Sequence, residues 1–272
     1  MNDILSTLEN AAALAFNKQA GVFDQQYGVD AMIRYKRARV RTHILQHLSP
    51  GSHILELNAG TGEDAVFFAR QGHKILATDI STRMQEISIQ KTRQHGLQER
   101  ISHEICSFNQ LENLFARGPY DLVFSNFAGL NCTPALDTVL RSLDELVKPG
   151  GLVTLVLLPK FCVWEFLMLF RGKFRTALRR FSGSKGAKAH IGGVYFRCWY
   201  YNPSYIRKNL SPAFTVIRQE GLNTWLPPSY LTGFAEKYPK LYSFLEKKED
   251  RYKYSWPWRN IGDYYIITLR KN

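Results

Sequence analysis

Between residues 53 and 158, short apolar runs alternate with segments of helical spacing, and this alternation restricts the possible fold more than any other feature. Runs at 53–57, 74–78, 101–106, 120–125 and 152–158 read as buried strands. Residues 64–71, 82–95 and 134–147 carry helical periodicity. Strand and helix at this pitch predict right-handed βαβ units and a parallel sheet covered on both faces. Ligands of such sheets bind beyond the carboxyl ends of the strands. Upstream, residues 3–17 read as an amphipathic helix followed by a polar stretch through Gly28. A second helix over 30–48 is stopped by Ser49-Pro50-Gly51.

Charge divides the chain of 272 residues at a sharp point. Residues 1–159 hold 15 Lys/Arg against 16 Asp/Glu, whereas residues 160–272 hold 21 against 7. Aromatic residues follow the same division, 11 before the boundary and 25 after it, including all five tryptophans. A neutral scaffold over 1–159 is therefore expected to carry a basic, aromatic-rich portion over 160–272. A hydrophobic share of 45% argues against disorder. The most apolar stretch, 151–170, is interrupted by Pro159, Lys160 and Glu165, which argues against a membrane span. Cys106, Cys132, Cys162 and Cys198 lie far apart without a C-x-x-C, as expected of small buried side chains in a reducing cytosol. No basic residue precedes Lys18, so no secretory leader is expected and the assignment is cytoplasmic.

The first strand runs into Glu56-Leu57-Asn58-Ala59-Gly60-Thr61-Gly62. Gly60 and Gly62 permit a tight turn and close backbone approach at a helix N-terminus. Gly60-x-Gly62-x-x-Ala65 with Asp79 downstream also fits a loose dinucleotide fingerprint, so a nicotinamide enzyme is a rival at this point. Three features weigh against it. Glu56 puts an acid where a pyrophosphate gains nothing but a cationic amine does. Thr78-Asp79-Ile80-Ser81 with Met84 offers a carboxylate for vicinal hydroxyls beside an apolar wall. Phe124-Ser125-Asn126-Phe127 and Lys148-Pro149-Gly150-Gly151 complete an ordered set.

Over residues 35–160 this set resembles the class I S-adenosylmethionine-dependent methyltransferases of small molecules. The resemblance implies a doubly wound, mostly parallel seven-stranded α/β sheet with a reversed last strand. It also implies N-terminal helices and two insertions forming a substrate-binding cap. Residues 214–219 and 263–269 are then the last two strands of the same sheet. By the same resemblance, Glu56, Asn58, Gly60 and Gly62 cradle the methionine part of S-adenosylmethionine, and Asp79 holds the ribose. Ile80 and Met84 contact adenine, and Asn126 and Phe127 face the methyl group. Asn58 stands where glycine is commoner, and Asn enters left-handed backbone at low cost. Ser107-Phe108-Asn109 stands where an acid usually holds the adenine amino group. Ser107 and Phe108 are therefore assigned to the adenine end, with Ser107 or Asn109 as acceptor. Phe23 and Tyr27 lie in a segment similar to the one that closes over the cofactor; packing of the N-terminal helix is the alternative.

In the basic half, residues 161–181 read as one amphipathic helix, and residues 160–197 carry nine Lys/Arg against the single acid Glu165. An aromatic pocket for a small, flat or hydrophobic acceptor is the first reading, with Tyr195, Trp199, Tyr200 and Tyr230 lining it. An RNA methyltransferase or RNA-binding protein is the alternative, and contact with an anionic membrane through 160–197 is a further partner option. Methyl transfer from a sulfonium needs mainly positioning, with a base only for a protonated acceptor; His190 and Tyr201 are the candidates for the catalytic role. His43 and His47 have metal-pair spacing but lack a third ligand, so no metal is assigned.

Overall fold

The structure, a computed structural model, describes every residue except Met1, Val29, Ser211 and Thr232. Strands β1 (His53–Leu57), β2 (Lys74–Asp79), β3 (Ile101–Ile105), β4 (Tyr120–Ser125) and β5 (Val147–Leu157) pair in parallel; β8 (Phe214–Leu222) and β9 (Tyr264–Lys271) complete the sheet. The strand order is β3-β2-β1-β4-β5-β9-β8, with β9 antiparallel to both β5 and β8. The expected doubly wound sheet with its reversed last strand is therefore present.

Alternation along each strand divides the core into two layers. Leu55, Leu57, Val123, Val153, Leu155 and Ile267 pack against Val139, Leu140 and Leu143 of α5 (Leu136–Leu146). On the opposite face, Ile54, Leu122, Phe124, Val156 and Ile266 meet Val40 and Ile44 of α2 (Ala31–Leu45) and Phe68 of α3 (Glu63–Arg70). The same α2 brings in His43, whose ring nitrogens bond Glu220 at 2.7 Å and Thr268 at 2.8 Å. Both nitrogens are thus spent on the sheet.

The N-terminal helix departs from expectation. Residues 18–27 continue the helix, so that α1 runs unbroken over Asn2–Tyr27. Its polar residues are helical because they have partners across the fold. Asn17 accepts from Ser81 at the start of α4 (Thr82–Gln94), and Asp24 accepts from Thr61 at 2.6 Å and pairs with Lys91. The polar stretch beyond residue 17 is the face of a helix laid across the strand ends.

Residues 161–181, expected as one helix, form α6 (Val163–Leu167) and α7 (Phe174–Leu178) joined by a tight turn. Gly172 sits there at φ +69°, a left-handed conformation that ends the first segment. Next come a two-stranded hairpin, β6 (Ala187–Ile191) and β7 (Val194–Cys198), and α8 (Pro203–Leu210). The second insertion, between β8 and β9, carries α9 (Phe234–Lys237) and α10 (Pro239–Tyr252). No helix among the described residues is long and apolar enough to cross a membrane.

Candidate active site

At the carboxyl ends of β1, β2 and β4 lies a cavity of about 860 Å³, counting its open mouth. Glu56, Asn58, Ala59, Gly60 and Thr61 form one wall, Asp79, Ile80, Met84 and Phe108 another, and Asn126, Phe127 and Gly129 a third. Helix α1 roofs it with Glu9, Ala12, Ala13, Phe16 and Phe23.

Local geometry explains the loop's sequence. Asn58, Gly60 and Gly62 all have positive φ, and a Cβ on Gly62 would fall 2.2 Å from Ser88 Oγ. Asn58 does adopt the left-handed conformation expected of it. Its side chain, however, is used within the protein: the amide donates to the Asn126 carbonyl and its oxygen accepts from Ser125, at 2.8 and 2.6 Å. Asp79 accepts from the backbone N–H groups of Gly60 and Ser81 at 2.9 and 2.8 Å, one on each carboxylate oxygen. Asp79 lines the cavity, and a carboxylate can accept further hydrogen bonds beyond these two.

Two acids at this site have opposite electrostatic environments. Asp64 is buried, which alone would favour protonation, but Arg37 and Arg41 pair with it and Asn126 donates to it, so its carboxyl is held below the usual range. Glu56 is 3% exposed; burial, reinforced by the negative charge of Asp64, pushes its carboxyl well above the usual range. Its Oε2 is buried with no hydrogen-bond partner. A buried acceptor without a donor, at the head of a cavity, suits a ligand bearing an ammonium group.

A second chamber adjoins the first and shares Phe16, Phe23, Arg37 and Phe127 with it. Gln19, Tyr27, Ile33, Lys36, Ile191, Ser229 and Tyr264 complete its lining. Lys36 is buried, donates to Ser229 at 3.2 Å, pairs with Asp263 at 3.4 Å and lies 4.6 Å from the Tyr264 ring centre. The Gln19 amide donates to Tyr27 at 2.8 Å, leaving its buried oxygen without a donor.

The first cavity thus gathers Phe23, Glu56, Asn58, Gly60, Asp79, Ile80, Met84, Phe108, Asn126 and Phe127. Three other residues expected there do not line it. Gly62 is packed under α4, Tyr27 belongs to the second chamber, and Ser107 donates to the Glu9 carboxylate at 2.6 Å. The residues expected around the acceptor lie elsewhere. Tyr201 is in the core, its hydroxyl donating to the Thr133 carbonyl, and Trp199 is buried with its indole N–H on the Ser184 carbonyl. Tyr200 is buried beside Arg180, while His190 and Tyr195 lie against each other on the hairpin, their ring centres 4.6 Å apart and their planes tilted by 42°. Tyr230 is exposed and lines neither chamber. Most of the rings clustered in the insertions fill or cover the insertions themselves. Glu9, Phe16, Gln19, Lys36 and Arg37 went unnoticed. The i, i+3, i+4, i+7 spacing of Glu9, Ala12, Ala13, Phe16, Ala20, Phe23 and Tyr27 puts them on one side of α1 and was the signal available.

Residues 54–151 match the family model described as "Methyltransferase domain". This segment is a methyltransferase domain. The loop of this segment and the sheet order of the whole chain are those of the class I, S-adenosylmethionine-dependent type. An uncharacterized methyltransferase of Synechocystis sp. is 31% identical over 137 residues, which is 47% of this chain and 59% of that protein. The demethylmenaquinone methyltransferase of Bacillus velezensis is 26% identical over 66% of this chain and 81% of its own length. Among solved structures, the 1,6-didemethyltoxoflavin-N1-methyltransferase of Burkholderia thailandensis, with S-adenosylhomocysteine bound, superposes with a TM-score of 0.54. It shares 18% identity over 97% of this chain and 89% of its own. The matched segment lies between α1–α2 and the basic half, whose β8 and β9 complete the same sheet.

Proposed function

We propose that the chain methylates a small, flat, hydroxylated aromatic acceptor, a quinol ring being the first to test, with S-adenosylmethionine as methyl donor. The observation that carries this reading is the pairing of two chambers across Phe16, Phe23 and Phe127: an acidic one at the strand ends, an aromatic one beside it. The quinone named for the Bacillus relative fits the second chamber's walls in kind.

The donor supplies an activated methyl group on its own leaving group; the protein's part is binding and placement. The residues fit it: the orphaned Glu56 oxygen suits its amine, Asp79 its ribose hydroxyls, and Ile80, Met84 and Phe108 its base. In the second chamber Phe16, Phe23 and Phe127 hold a flat ring and exclude water. Gln19 Oε1 lacks a donor and would accept from one acceptor hydroxyl; an acceptor that enters as its phenolate, its proton left in solvent, would set its negative oxygen against Lys36.

The test is transfer of labelled methyl from S-adenosylmethionine to a reduced naphthoquinol. Labelled product should form, and Lys36→Met should lower kcat roughly a hundredfold while leaving S-adenosylhomocysteine affinity intact. Binding of S-adenosylhomocysteine with no labelled product from any quinol or phenol would overturn the acceptor class.

At the adenine end we assign the missing acid to Glu9. Ser107 Oγ lies 2.6 Å from both of its carboxylate oxygens and Asn109 Nδ2 3.2 Å from one, which fixes it on the cavity wall beside Phe108. Glu9→Gln should weaken S-adenosylhomocysteine binding by about 1.5–3 kcal/mol, some 10- to 150-fold. The variant should also narrow the preference over S-inosylhomocysteine, whose base presents an acceptor instead of an amino group. Calorimetry with both ligands reads this out, and an unchanged ratio removes Glu9 from the role.

A further inference from the structure

The first insertion is built inside out. Its inward side is Glu165, Met168, Ala177 and Arg180, all buried, with Arg180 paired to Glu165 at 2.6 Å. Its outward side carries Phe166, Leu167, Phe170, Phe174, Leu178 and Phe181. Phe170 is 83% exposed, Phe174 62%, Phe181 56% and Leu178 52%. Six large apolar side chains in sixteen residues, turned away from a core that instead holds an ion pair, are unlike scattered surface hydrophobics. Among them stand the exposed cations Arg171, Lys173 and Arg175, with Lys160 and Lys185 at either end. The segment's one acid, Glu165, is sequestered by Arg179 and Arg180.

We propose that this face docks on an anionic lipid bilayer, with the phenylalanines entering the boundary between headgroups and acyl chains and the cations meeting the phosphates. The chemistry decides among occupants. Leu167, Leu178 and the phenylalanines gain by leaving water, and lipid takes them without a matching pocket. RNA would use the cations and could stack on the rings, but it offers nothing to Leu167 or Leu178. A second copy related by a two-fold axis would bring the same cations against themselves with no exposed acid in 160–185 to answer them. Anionic lipid satisfies both halves of the pattern.

The face is also coupled to the second chamber. Arg180 bonds both Glu165 of α6 and Asp263, and Asp263 pairs with Lys36 in the chamber wall. The proposal stands apart from the methyl-transfer reading, since it predicts binding to vesicles that contain no acceptor.

Co-sedimentation of the full chain with phosphatidylcholine vesicles, with and without phosphatidylglycerol, tests it. The chain should sediment with the anionic vesicles at least roughly tenfold better than with neutral ones, and less so as salt rises. Phe170→Ser with Phe174→Ser should lower binding to anionic vesicles by a similar factor. Lys173→Glu with Arg175→Glu, which changes only exposed side chains, should abolish the preference for phosphatidylglycerol. Failure of the wild type to sediment, or equal sedimentation of either double variant, overturns the proposal. It is also overturned if the wild type binds single-stranded polyuridylate but not anionic vesicles at the same salt, or forms a dimer that the Phe170/Phe174 variant loses.

Discussion

Glu56→Gln is expected to weaken S-adenosylhomocysteine binding by about 2–3 kcal/mol, roughly 30- to 150-fold, and to abolish a proton release that accompanies binding in the wild type. The free protein holds this carboxyl well above the usual range because it is buried beside the negative charge of Asp64. A ligand ammonium placed against it would favour the ionised form, so binding expels a proton and tightens as pH rises through the free-state titration. Glutamine has no proton to release, and its affinity should stay flat over that range. Calorimetry in buffers of differing ionisation enthalpy measures the proton count directly. Stability should move the other way. A folded-state value above the unfolded one means that ionisation destabilises the free wild type increasingly as pH rises from the unfolded value to the folded one. The variant, with no such ionisation, should melt at an equal or higher temperature near neutrality. Loss of affinity with a lower melting temperature and no change in proton release would assign Glu56 to the framework instead of the ligand.

The parallel core was legible because its signals are local. The apolar runs at 53–57 and 120–125 are short and bounded, and a positive φ at Asn58, Gly60 and Gly62 follows from which residues tolerate it. The roof was not legible. Nothing within residues 18–27 says that Asp24 will meet Thr61 and Lys91, and those partners are what make the stretch a helix over the loop. The acid proposed for the adenine end hid for the same reason: Glu9 and Ser107 are 98 positions apart and meet only because α1 crosses the strand ends. On the acceptor side, composition and the proposed chamber point to different residues. Trp199, Tyr200 and Tyr201 are buried in the body of the fold, while Lys36 and Gln19, which line the chamber, lie in segments of ordinary composition. Clustered aromatics locate an insertion; only tertiary contacts show which surface of it faces a ligand.

Arg180→Met should destabilise the protein by about 3–5 kcal/mol, lowering the melting temperature by of order 10 °C. The guanidinium is buried and bonds the carboxylates of Glu165 and Asp263 together with the backbone carbonyls of Pro159 and Asp263. Methionine fills similar volume but leaves two buried acids short of a partner. Arg179 still reaches Glu165, and Lys36 still reaches Asp263, which keeps the loss from being larger. The pH dependence follows from Glu165. Burial raises its carboxyl, but the two arginines outweigh that and hold it below the usual range. Its contribution is therefore present above the unfolded value and lost as pH falls through the folded one, so the variant's deficit should be greatest near neutrality and shrink in acid. Arg180→Lys, which keeps a charge but cannot reach four acceptors in one plane, should fall between. Because this side chain joins α6 to the Asp263–Lys36 pair, the variant should lose acceptor turnover before it loses S-adenosylhomocysteine binding: Arg180 lines neither chamber, and its partner's partner, Lys36, lines only the second. Parallel loss of both would mean that the two chambers unfold as a unit and that the ion network supports the whole sheet edge instead of one wall.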